Sequence, residues 1–168
     1  MGTLKTNFGR KQKWRNDAIA YLVNELTNLG QEACIQAIQQ RGYQNRLGNL
    51  HDSIGSAVYV DGKLVPSSRR YAESPISSAP YKNKGKNGNG EYMNGRQAID
   101  DYWSKHQELP RSKNAVELVV IAATFYAGIL EAKGVQVISA AASYVQGKLN
   151  IYKSYNPKIR GFADLVSV

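Results

Sequence analysis

The sequence predicts an α+β fold: a long N-terminal helix and a C-terminal helix packed on a small antiparallel sheet, with a long ordered loop insertion. Three observations lead there. Apolar residues recur every three or four positions from Lys13 to Arg41 and again from Ser139 to Tyr152, which is the spacing of one helix face. At Ile54 the spacing switches to two and runs into Asp61-Gly62, a turn pair suited to a hairpin. Residues 66–95 follow neither period and consist largely of Pro, Ser, Gly, Asn and Lys. The 168 residues suit one domain. They divide into a basic N-terminal arm, 1–11, and a single α+β domain, 12–168, with the extended loop at 66–95, and no internal repeat is evident.

In chain order, the first helix places Trp14, Ala18, Leu22, Leu26, Leu29, Ala33 and Ala37 on its apolar face. Gly30 is a candidate bend or break within it, and Gly42 a candidate stop. Gly48 and Asn49 tolerate positive φ and separate helix from strand. Leu50 is expected to tuck against the core, and Asp52 and Ser53 to hydrogen-bond the turn backbone. Leu50 and Ile54 are both expected between the first helix and the sheet. Along the strand, Ile54, Ser56, Val58 and Val60 share one face, with Ala57 and Tyr59 on the other. Asp61-Gly62 then predicts a type I′ turn between Val60 and Lys63.

After the insertion, Asn94 to Glu108 reads as a short helix ended before Pro110. The apolar stretch at 114–124 reads as a strand buried on both faces, and 125–134 as a short helix closed by Gly134. A brief strand-like segment, 135–138, leads to the last helix, with Ser139 as N-cap and Ile138, Ala142, Val145, Leu149 and Tyr152 on its apolar face. This order places the helices on one face of the sheet.

The net charge of +9 comes from 22 basic and 13 acidic side chains and points to an anionic partner, either nucleic acid or an acidic protein face. Eleven tyrosines dominate the aromatic residues, which suits protein interfaces and base stacking alike. Arg10 to Arg15 mixes cations with Trp14, and Tyr81 to Lys86 places Lys82, Lys84 and Lys86 behind a tyrosine. Either stretch can contact phosphates or simply form a solvated basic surface. No apolar run is long enough to span a bilayer, and the N-terminal residues lack the apolar core of a signal peptide. Cys34, the only cysteine, is expected as a small buried hydrophobe of a reducing compartment.

Residues for chemistry are sparse. Gly85 to Gly90 is glycine-rich but lacks the preceding strand and following Lys-Ser/Thr of a phosphate-binding loop. A single cysteine excludes a multi-cysteine zinc site. His51 and His106 stand in different segments and are expected as polar side chains at a turn and on a helix. Asp100 and Asp101 are adjacent on a helix, point to different sides and suit i,i+4 surface pairing with nearby cations. Glu117 and Glu131 each sit among apolar residues, on an exposed side or paired with a cation. No catalytic residue, metal site or cofactor site is expected.

Two stretches resemble the signatures of a known family. The first is Asn45 to Gly55, in which Gly48, Asn49, Leu50, Ser53 and Ile54 match a Gly-Asn-Leu turn running into a strand. The second is Thr124 to Ile138, in which Tyr126, Ala127, Glu131 and Gly134 match. Together they are similar to the tail-completion, or head–tail joining (neck), proteins of long-tailed bacteriophages and prophages. Leu47 stands where Thr is common and His51 where a basic residue is common. Ala132-Lys133 is added before the glycine, and the family's Arg-Pro-Phe stretch near the end is missing. The resemblance implies a non-enzymatic virion protein, assembled in the bacterial host cytoplasm. It implies a homo-oligomeric ring beside connector and tail-tube or tail-terminator proteins. The matched residues would then be fold elements. Tyr71, Tyr81 and Tyr92, with Lys82, Lys84 and Lys86, are the expected partner contacts of the insertion, with acidic protein first and DNA second. A nucleic-acid-binding protein using the basic arm and the Lys/Gly-rich loop is the alternative.

Overall fold

A computed structural model describes residues 5–40, 42, 48–71, 80–82, 92–109 and 115–155. Helix α1 (Lys5–Gln39) is continuous. It therefore includes residues 5–11, expected as an arm: the stretch has no apolar stripe in its sequence, yet its backbone extends the helix. Gly30 does not split α1. It is a point of close approach, where a Cβ would meet the Ser56 side chain of the sheet at 2.5 Å.

Gly48 has φ 77° and opens a one-turn helix, α2 (Asn49–Asp52), so the left-handed residue of this turn is Gly48 alone. Strand β1 (Ile54–Val60) follows, and a tight turn leads to β2 (Lys63–Leu64) in the expected register, Val60 opposite Lys63. Asp61 (φ 51°) and Gly62 (φ 79°) are both left-handed, as a type I′ turn requires.

The insertion is less irregular than its composition. A 3₁₀ turn (Pro66–Ser68) leads to β3 (Arg70–Tyr71), which pairs with Gly55 and Ser56 of β1. Between β2 and β3, the Ser68 hydroxyl accepts from Val58 N–H at 2.8 Å, supplying the partner that a strand residue would. Further on, β4 (Tyr81–Lys82) and β5 (Tyr92–Met93) form a separate antiparallel pair. Helix α3 (Gly95–Lys105) starts at a complete capping box between Asn94 and Gln97. Strand β6 (Val116–Ala122) pairs antiparallel with the whole of β1. Helix α4 (Ala127–Ala132) ends at Gly134 (φ 77°), where Val135 N–H bonds Leu130 O and Gly134 N–H bonds Glu131 O, the two bonds of a Schellman stop. Residues 135–138 are not a strand, and α5 (Ser139–Tyr155) completes the described chain.

β1 is the centre of the sheet, with β6 along one edge and β2 and β3 sharing the other. One of its faces packs through Ile54 against Ala33, Cys34 and Ala37 of α1 and Ala141 of α5. The opposite face packs through Ala57 and Tyr59 against Ile99 and Trp103 of α3. Helices therefore cover both faces, not one. The reason lies in β1 itself, which is apolar on both sides and requires two covers. β6, expected to be buried on both faces, is half-buried except for Ile121.

Cys34 is buried as expected, and burial pushes its thiol up to about 11, partly opposed by the nearby Ser56 side chain. Thiol reagents should leave the native protein unmodified at pH 8 and titrate one thiol in urea. Rapid native labelling would contradict this placement.

Candidate assembly surface

The turn and the helix–loop segment singled out in the sequence meet at one junction. Leu50 packs with Ala127 and Val137, so it lies against the segment that joins α4 to α5 and not between α1 and the sheet. Ile54 does face α1. The turn is closed by Ser53, whose N–H bonds Asn49 O and whose hydroxyl donates to Leu50 O at 2.9 Å. Asn49 Oδ1 accepts from Gly95 N–H, which ties the turn to the start of α3.

On the other side of the junction, Glu131 is half-buried and pairs with no cation among the described residues. Its Oε1 accepts the backbone N–H groups of Val137, Ile138 and Ser139 at 2.8, 2.5 and 2.9 Å. A carboxylate facing the positive end of α5 satisfies donors that have no partner inside the helix. Glu131 thus performs the capping expected of Ser139. Tyr126 is half-buried, with its hydroxyl pushed up by burial and partly held back by the nearby Thr124 side chain. Gly134 supplies the left-handed stop described above. In this geometry, the family-like residues shape the backbone and the packing.

The histidines stay apart. His51 is buried, not polar and exposed, and its Nδ1 lies 2.7 Å from Asp52 Oδ1. His106 closes the C-terminal end of α3 and stacks on Tyr102 at 4.0 Å. Asn49, in α2 with His51, holds the opposite end of that helix. Eleven residues at 1.5 Å each set the two ends about 16 Å apart. Among the described residues no group of three His, Cys, Asp or Glu side chains is placed to hold a metal ion. Asp101 pairs with Lys105 at 2.7 Å and Asp100 accepts from the Tyr71 hydroxyl, so the adjacent carboxylates do serve different sides. Glu117 is half-buried on β6, opposite Tyr59.

The expected partner contacts fare unevenly. Tyr71 is held within the domain: its hydroxyl donates to Asp100 at 2.7 Å and the Arg96 guanidinium lies 4.1 Å above its ring. Burial and the neighbouring Asp100 raise its pKa, opposed by Arg69 and Arg96. It is an intramolecular anchor of the insertion, not a free contact. Tyr92 is 72% exposed on β5, opposite Lys82. The backbone of Tyr81 and Lys82 forms β4, while Lys84 and Lys86 lie outside the described residues.

Other surface aromatics are visible only in three dimensions. Trp14 is 78% exposed and Leu22 also lies open, although the helical spacing placed both on the packed face. Tyr21, Phe125 in the turn before α4, and Ile129 on α4 are exposed as well. The helical period showed which side Leu22 occupies but not where the sheet beneath it stops. No described helix is long and apolar enough to cross a membrane. No family model matches the chain, and neither a curated protein nor a solved structure matches it.

Proposed function

We propose that this chain is a structural, non-enzymatic virion protein that oligomerises into a ring at the head–tail interface or tail end of a long-tailed phage or prophage particle. The observation that carries the reading is the junction of Leu50, Ala127, Val137 and Glu131. Both family-like stretches are used there to build the fold, with the Glu131 carboxylate engaged by three amides. Recognition then falls to the exposed aromatic residues Tyr92, Phe125 and Trp14, a residue class enriched in protein interfaces. Connector and tail-tube or tail-terminator proteins are the proposed neighbours, and the insertion with Tyr81, Lys82, Lys84, Lys86 and Tyr92 is the proposed contact.

Deleting Tyr81 to Gly90 is expected to leave the domain folded and to abolish ring formation or docking onto the neighbour. A deletion variant that assembles like the intact chain would overturn this assignment of the insertion. The alternative reading, nucleic-acid binding, draws on one feature: Arg10, Lys11, Lys13 and Arg15 stand on the same helical segment as the exposed Trp14. A nucleic-acid binder should lose affinity steeply as salt rises, by about tenfold or more between 50 and 200 mM. The structural reading expects only weak binding, equal for all sequences.

A further inference from the structure

Strand β6 leaves one edge of the sheet open. It pairs with β1 along its whole length, and no described strand lies on its other side. Every β6 residue except Ile121 is half-buried, so the strand reaches solvent along its length. The register shows which backbone groups face out. Asp61 N–H bonds Ala115 O at 2.9 Å, and Ala123 N–H bonds Ser53 O at 3.0 Å. Both pairs are in step with the β1–β6 register, in which Ala57 stands opposite Val119. In an antiparallel ladder, residues that bond the neighbouring strand alternate with residues whose groups point away from it. The odd-numbered residues of β6 therefore bond β1. Val116, Leu118, Val120 and Ala122 aim their N–H and C=O groups outward, where no described residue meets them.

An edge of this kind is normally guarded by a lysine, a proline, a bulge or a short length. β6 has none of these. Its seven residues, VELVVIA, pair with β1 without a break, and Glu117 is the one charged residue among them. The strand is also complementary to itself. A two-fold axis through Val119, perpendicular to the sheet, lays β6 antiparallel on a second β6. Val116 then meets Ala122 of the other copy, and Leu118 meets its Val120. Every outward N–H and C=O of these four residues gains a partner. Moving the axis by one residue in either direction leaves one of the four without one. On the α3 face of the sheet Val119 meets Val119, and Glu117 meets Ile121. The two Glu117 carboxylates stand four residues apart along the strand, about 14 Å, beyond the screening length at physiological salt. No like charges therefore oppose the pairing within the strand.

We propose that β6 pairs with β6 of a second copy of this chain, antiparallel about a two-fold axis at Val119, so that one sheet runs through both copies. Main-chain hydrogen bonds hold the two strands, and the alternating side chains fix the register. A two-fold contact closes on itself and cannot propagate a ring. The pairing therefore goes beyond the proposed function and is independent of the insertion contact.

Cysteine cross-linking of the full chain tests the axis. Residues opposed in a non-hydrogen-bonded pair have Cα atoms about 4.5 Å apart, within reach of a disulfide. Under mild oxidation Val119→Cys should give a disulfide-linked dimer, about tenfold more than Glu117→Cys, whose two thiols would lie too far apart. Cys34 is buried and does not compete. This contrast is expected whether or not a ring forms. Residue-resolved amide exchange of the parent protein supplies a second reading. In the dimer the amides of Val116, Leu118, Val120 and Ala122 should exchange about tenfold more slowly than in the protomer reached by dilution. Those of Glu117, Val119 and Ile121 should stay protected in both, because they bond β1. Equal cross-linking of the two variants, or none at Val119, would overturn the proposal. Outward amides that exchange freely at every concentration would also overturn it and leave the edge to a strand of another protein. So would protection of these amides in a particle of one protomer's mass, which would mean that the chain covers its own edge.

Discussion

Glu131→Ala is expected to destabilise the protein by about 3 kcal/mol, among the largest effects of any single polar substitution in this chain. The carboxylate accepts three backbone N–H groups at once, and it does so at a site that is half-buried. A charged acceptor contributes about 1.5–3 kcal/mol per hydrogen bond, but three bonds to one oxygen do not add, and water recovers part of the loss. Alanine leaves three amides at the start of α5 without this acceptor and also removes the anion from the helix's positive end. Glu131→Gln keeps an acceptor and loses the charge, so about 1–2 kcal/mol is expected. Urea unfolding reads both, as a shift of the midpoint at constant slope. An alanine variant within about 0.5 kcal/mol of the parent would mean that Glu131 is not what fixes the junction.

Leu50→Ala is expected to cost about 2–4 kcal/mol. Leu50 is 4% exposed and fills the space between α2, Ala127 and Val137. Its neighbours are held by the Schellman stop at Gly134 and by the Glu131 cap, so they cannot close the cavity easily. Because Leu50 touches Val137, Leu50→Ala and Val137→Ala should not be additive, with a coupling of about 0.5 kcal/mol or more. Additivity within a few tenths would show that the two side chains do not share one cavity.

The parts of the fold legible in the sequence are those fixed by local chemistry. Asp61-Gly62 announces its turn, Asn94 marks the start of α3, and Gly134 announces the end of α4. Each depends on residues within about four positions of one another. What could not be read is non-local. β3 is two residues long, and its place on β1 depends on Ser68 filling a gap opposite Val58. The position of α3 on the second face of the sheet follows from the burial of Ala57 and Tyr59, which alternation alone does not reveal. Residues 135–138 have β-rich composition, but the carboxylate of Glu131 gathers the amides of Val137 and Ile138 and holds the segment as a bend.

The candidate site was legible to the same extent. The sequence marked the turn and the helix–loop segment separately; that Leu50 joins them depends on the path of β1 and β6. Tyr71 was expected to face a partner because the insertion has few apolar residues. Its real partners, Arg96 and Asp100, belong to α3, far along the chain. His51 stands in a polar-looking turn, yet it is buried beside Asp52 because α2 lies beneath the start of α3.

The measurement closest to the central claim is the mass of the intact, full-length protein in solution, by native mass spectrometry or light scattering, at rising concentration. The structural reading predicts a discrete, closed oligomer, several times the protomer mass, that stays at one size once formed and persists in salt high enough to strip bound nucleic acid. A protomer-sized particle at every concentration, with nucleic-acid binding that falls steeply as salt rises, would contradict it.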